Sequence, residues 1–94
     1  MGKWESRVRP VHSSDVLYQH ADATVVLLNL ARGQYFTLEN TARRIWELTD
    51  GSRTVDDIIT TICAEYSAER DVVESDTLEL LTDLASEGLI SETR

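Results

Sequence analysis

The chain has 94 residues, 41% apolar and 28% charged, with one proline and four glycines, which fits one small globular domain and excludes a disordered, collagen-like or multi-domain chain. Seventeen acids against nine bases give a net charge of −8, and the imbalance is local: residues 1–49 carry six bases and five acids, residues 50–94 three bases and twelve acids. So negative a C-terminal half argues against nucleic acid or an anionic membrane as partner, since both are polyanions.

Residues 1–13 show no clear period and hold the only proline, Pro10; they read as an extended arm able to add a short strand. Met1-Gly2 with Ser6 fits the loose N-myristoylation pattern, which fixes only two positions. There is no apolar run of eighteen residues and no signal-peptide core, so the expectation is a soluble, cytoplasmic protein. Val16–Gln19 is a short β-prone run. Thr24–Leu30 is apolar on both faces and reads as a central strand covered on both sides. Ala31-Arg32-Gly33 supplies a hairpin turn, and Tyr35–Leu38 pairs back with Phe36 and Leu38 on one face.

The period then changes from two to 3.6. Asn40 is the expected N-cap of a helix whose Ala42, Ile45, Trp46 and Thr49 share a face, closed by Asp50-Gly51. Thr54-Val55-Asp56-Asp57 starts a second helix as a capping box, with Val55, Ile58, Ile59, Ile62, Cys63 and Tyr66 as its apolar stripe. A third helix is expected from about Asp71 to Glu87, stopped by Gly88, with Leu89-Ile90 folding back onto the core. The predicted class is α+β, winged-helix-like: a three-stranded antiparallel sheet followed by three helices. Residues 14–91 form the domain, 1–13 the arm and 92–94 a tail.

Little here could carry catalysis. His12 and His20 are eight residues apart with no cysteine or carboxylate pair spaced to join them, so no metal is expected and both read as solvated loop histidines. Cys63 is in phase with Ile59 and Ile62 and reads as a core thiol, and as the single cysteine it rules out an intramolecular disulfide and a CxxC site. No serine has a base at motif spacing, the glycines are isolated turn residues, and no cofactor is implied. The third helix has six acids and no Lys or Arg over 71–87, which disfavours a DNA-reading module. A carrier protein needs Asp-Ser at a helix start, and Glu74-Ser75-Asp76 has the reverse order.

What remains is a peptide-binding surface. The strand Gln34–Leu38 ends the meander, so one of its edges should offer unpaired backbone groups to an extended peptide. On a helical wheel Leu80 and Leu84 fall within about 20° of Val73, with Asp76, Asp83 and Glu87 as an acidic flank that would attract Lys or Arg on a ligand. The same leucines read equally well as core, and the acids as a solvated face. Trp46 and Phe36 are expected in the core; Tyr35, on the opposite strand face, could contact a ligand or cover the sheet.

Leu27-Leu28-Asn29-Leu30, Gly33-Gln34-Tyr35-Phe36-Thr37-Leu38, Ala42-Arg43-Arg44-Ile45-Trp46-Glu47-Leu48, Asp50-Gly51 with Thr54-Val55, and Gly88-Leu89-Ile90 together resemble the PqqD family over about residues 14–91. The resemblance implies a non-catalytic RiPP recognition element, which binds the leader segment of a ribosomally made precursor peptide and delivers it to modifying enzymes. It implies a leader bound as an added strand on Gln34, Tyr35, Phe36, Thr37 and Leu38, against the third helix with Val73, Asp76, Thr77, Leu80, Asp83 and Leu84. Within the family, Ile-Trp-Glu-Leu and the Leu-Asn-Leu hairpin look like the stand-alone proteins of lasso peptide biosynthesis. Members of the pyrroloquinoline quinone pathway more often show Pro-Glu-Gly near the hairpin. The lasso reading implies a leader peptidase as partner, a cyclase downstream and a leader with basic residues and a Tyr-x-x-Pro motif. The alternative is a peptide chaperone delivering its precursor to a radical SAM enzyme, as in pyrroloquinoline quinone biosynthesis.

Overall fold

The computed structural model describes residues 4–93; Met1 and Gly2 of the acylation pattern lie outside them. The elements in chain order are β1 (Arg9–His12), β2 (Val16–Ala21), β3 (Thr24–Asn29), β4 (Gln34–Glu39), α1 (Asn40–Leu48), α2 (Val55–Tyr66), α3 (Arg70–Ser86) and β5 (Ile90–Thr93). β2, β3 and β4 form an antiparallel meander with β3 in the middle, and β1 pairs with β5 in a separate two-stranded ribbon. The expected sheet-then-helices order is the observed one.

Local chemistry explains the turns. Ala21 faces Thr24 across the β2–β3 hairpin, so the loop has only two residues, and Asp22 takes the left-handed conformation at φ 56° that short polar side chains tolerate. The β3–β4 loop ends at Gly33 with φ 69°, a conformation that glycine adopts without steric cost. In α2 the predicted capping box is present in full: Thr54 Oγ1 accepts from the Asp57 N–H at 3.1 Å, and the Asp57 carboxylate accepts from the Thr54 N–H at 3.0 Å.

The core lies between one face of the meander and the helices. Val25, Leu27, Trp46, Leu48, Ile58, Ile62, Leu81 and Leu89 are all essentially fully buried. The N-terminal arm closes one side of it. Trp4 and Val8 are buried, and the carbonyls of Val8 and Ser6 accept the Val55 and Asp56 N–H groups at 2.8 and 3.1 Å, filling the amides that a helix start leaves without intrahelical partners.

Several expectations need correcting. β3 is central but covered on one side only: Val25, Leu27 and Asn29 are buried, whereas Val26 and Leu28 point to a face that no helix covers. Apolarity on both faces marks surface that prefers burial, without saying that this chain supplies the cover. Asn40 is not the cap of α1. Glu39 holds that position without a side-chain bond, and Asn40 sits at φ 54°, so the strand enters the helix through a sharp left-handed step. Tyr66 ends the α2 stripe exposed rather than buried. His12 is not a loop residue: its ring stacks on Trp46 at 3.7 Å between centroids, and its Nε2 lies 2.8 Å from the Trp46 carbonyl. Burial of the ring pulls its pKa below the usual histidine value, against the opposing pull of that carbonyl and of Asp50. His20 is exposed in β2, with Nδ1 3.7 Å from Glu47. Glu92 and Thr93 belong to β5 rather than to a tail.

Candidate peptide-binding site

β4 is hydrogen-bonded to β3 along its whole length, Asn29 facing Gln34 and Thr24 facing Glu39, and no described strand lies on its other side. That open edge does not face plain solvent. Beside it runs a trench of about 360 Å³ with Phe36, Thr37 and Leu38 on the strand side, Leu80, Asp83, Leu84, Ser86 and Glu87 on the α3 side, and Leu89 between them. The space exists because strand alternation turns Phe36 and Leu38 inward, half-buried against the core. The outer backbone of β4 is left bare above them.

A second hollow continues along α3. It measures about 220 Å³ and is framed by Thr41, Ala42 and Ile45 of α1, Ile62 and Tyr66 of α2, and Val72, Val73, Asp76, Thr77 and Leu80 of α3. Leu80 borders both hollows. The sharp step at Asn40 ends β4 where this second hollow begins, so an extended chain lying on β4 would pass over α1 and meet a pocket with mostly apolar walls.

The predicted residues divide by environment. Leu80 is half-buried and Asp76 and Asp83 are exposed, all at the hollows. Val73 and Leu84 are 6% and 4% exposed and act as the base of the groove more than as free anchors. Thr77 is fully buried, and its hydroxyl has no hydrogen-bond partner. Gln34 and Thr37 are exposed. Tyr35 is 71% exposed and stands on the opposite face of the sheet, in a cross-strand row with Leu28 and Leu17. Sequence reasoning left out Thr41, Ala42, Tyr66 and Val72, because three separate helices bring them together. An exposed Tyr66 within an otherwise apolar stripe is the one local hint.

Electrostatics reinforce the geometry. Asp83 lies in the last turn of α3 and Glu87 immediately follows the helix, and that last turn holds no basic residue. The C-terminal end of a helix already carries partial negative charge. Carboxylates there make an end that a cationic group on a ligand would relieve. Arg32 reaches it from the hairpin, its guanidinium 3.5 Å from the Glu87 carboxylate. No group of three or more His, Cys, Asp or Glu able to hold a metal occurs among the described residues, and no described helix is long and apolar enough to cross a membrane.

The family model for Coenzyme PQQ synthesis protein D (PqqD) matches residues 24–90. The chain belongs to the PqqD family. The PqqA binding protein of Gluconobacter oxydans (strain 621H) is 35% identical over 72 residues, covering 77% of this chain and 75% of that one. Among solved structures, TbiB1 in complex with the TbiA(beta) leader peptide superposes with a TM-score of 0.81 at 40% identity, over 86% of this chain and 94% of TbiB1. A lasso peptide synthetase B1 complexed with its leader peptide superposes at 0.80 with 25% identity, over 88% and 98% of the two chains. The PqqD fold is therefore seen with a peptide in two of these relatives, and the trench beside β4 is the feature of this chain that suits such a ligand.

Proposed function

We propose that this PqqD-family chain is a non-catalytic RiPP recognition element that takes up the leader segment of a precursor peptide as a fourth strand on β4. The observation that carries the reading is the coincidence of an open strand edge with a partly apolar trench along α3. Backbone groups of Gln34, Tyr35, Phe36, Thr37 and Leu38 supply bonds that do not depend on the ligand's sequence, while side-chain pockets supply selectivity. Leu80, with Val73 and Leu84 beneath it, receives apolar anchors such as a Tyr or Pro side chain. Thr77 lies at the base of the second hollow, and Asp76 and Asp83 face Lys or Arg on the leader. Rim pairs of this kind contribute about 0–1 kcal/mol each and act mainly on the association rate.

The pathway we favour is lasso peptide biosynthesis, with a leader peptidase as partner and a cyclase acting later. The structural similarity to the lasso synthetase B1 and to TbiB1 supports it. The bare outer face of the sheet supports a protein partner as well: Leu17 and Tyr35 stand 58% and 71% exposed in one row with Leu28, on a surface of little charge in a strongly acidic molecule. A second reading is a chaperone delivering its precursor to a radical SAM enzyme, favoured by the likeness to the PqqA binding protein.

Titrating labelled TbiA(beta) leader and PqqA peptides into the protein tests both readings. Saturable binding of the leader and not of PqqA supports the lasso assignment, the converse supports the quinone assignment, and binding of neither overturns the function. Leu80→Arg is expected to abolish binding with the circular dichroism spectrum unchanged. In the double variant Asp76→Asn/Asp83→Asn, binding should weaken at low ionic strength and match the wild type at high salt, because exposed pairs are screened. A loss independent of salt would contradict the charged rim.

A further inference from the structure

β3 ends on a buried polar residue. Asn29 is 2% exposed, on the inward face it shares with Val25 and Leu27. Burying an amide is costly unless its hydrogen bonds are made, and this one makes them to two different elements. Its Oδ1 accepts from the Ala31 and Arg32 N–H groups at 2.9 and 3.2 Å, closing the β3–β4 turn, and its Nδ2 donates to the Glu87 carbonyl at 2.7 Å. Glu87 immediately follows α3, so that carbonyl is among those a helix end leaves without an intrahelical donor. Arg32 adds a longer contact, its guanidinium donating to the Ser86 carbonyl at 3.4 Å. The fit is close: a Cβ on Gly88 would stand 3.2 Å from Asn29 Nδ2.

These bonds lie at one end of the trench. Its walls are β4 and α3, and no ladder joins them across the opening. At the far end they are joined through the chain itself, since β4 runs directly into α1 and α1 shares the second hollow with α3. At the near end the described polar links between hairpin and helix are those of Asn29 and Arg32.

We infer that Asn29 is a positioning residue for the peptide site: its carboxamide ties the hairpin that carries β4 to the C-terminal turn of α3 and so fixes the width of the trench before a ligand arrives. Asn29 touches no ligand itself. Its contribution is preorganisation, which lowers the ordering cost of binding and is felt mostly as slower dissociation. The inference rests on the leader-binding reading above.

Two variants separate the two halves of the amide's work. In Asn29→Ser the hydroxyl can still accept from the turn amides but is too short to reach Glu87. Asn29→Asp keeps the size and the Oδ1 acceptor for both turn amides but, ionised, gives no donor. Amide hydrogen exchange on the unliganded proteins is read first. The last turn of α3 and Gly88-Leu89 should exchange at least about tenfold faster, Val25 and Leu27 should be unchanged, and Ala31 and Arg32 should stay protected, as expected for one lost bond worth about a factor of ten. The Kd for labelled TbiA(beta) leader, measured where each protein is fully folded, should then rise about tenfold, with most of the change in the dissociation rate. Should either variant fail to fold, the other carries the test. Unchanged exchange at the α3 end overturns the clamp. Faster exchange with an unchanged Kd overturns its role in binding. A wild-type protein that binds no leader defeats the leader-binding reading itself, an outcome distinct from both.

Discussion

The two faces of the β2–β3–β4 sheet share the same three strands and have opposite fates. On the inner face Val25 and Leu27 are wholly buried; on the outer face Leu17 and Tyr35 are more than half exposed, in a cross-strand row with Leu28, the residue next to Leu27. Residue type therefore does not decide which face is covered. Topology does, because all three helices follow β4 and pack on one side, where the ribbon of β1 and β5 and the arm at Trp4 and Val8 complete the cover. The exposed side then has to be understood through binding rather than folding. It marks where another molecule could remove apolar surface from water, at roughly 25 cal/mol per Å² buried.

The contrast can be broken by mutation. Leu27→Ala on the inner face should cost about 2–5 kcal/mol in unfolding free energy, whereas Leu17→Ser on the outer face should change it by no more than about 0.5 kcal/mol, both read from urea denaturation. Equal costs would mean that the outer face is covered in the folded monomer. Removing the α2 cap with Thr54→Ala should cost about 1 kcal/mol, a local loss independent of either face.

The smallest effect is a pH dependence from His12, wedged between Trp46 and Tyr18 at the margin of the inner face. Its pKa is lower in the folded chain than the usual 6.5, so below that pH the unfolded chain binds the extra proton and stability falls with falling pH. The contribution is fully present above about pH 6.5 and is lost as pH descends through the folded value. His12→Phe, which keeps a ring against Trp46, should flatten the urea midpoint between pH 5 and 7. An unchanged slope would assign the effect elsewhere.

The strands, helices and capping box could be read from the sequence because they rest on local signals: alternation at Phe36 and Leu38, the Thr54–Asp57 pair, the stripe from Val55 to Ile62. The open edge of β4 was also legible, since a meander that passes into helices leaves its last strand without a further partner. Other features depend on residues far apart in the chain. His12 meets Trp46 across 34 positions and Asn29 meets Glu87 across 58, and neither pairing leaves a periodic trace. The burial of Val73 and Leu84 was undecidable on a helical wheel, because a wheel shows which residues share a face but not how deeply a neighbouring strand covers it. The second hollow escaped for the same reason, being assembled from α1, α2 and α3 together.

The most direct test of strand addition is amide hydrogen exchange over β4, read residue by residue with and without a saturating leader peptide. Addition of a strand predicts that alternate amides between Gln34 and Glu39, those directed away from β3, become protected on binding. Protection gained instead along β2, or only in the helices with β4 unchanged, would contradict it.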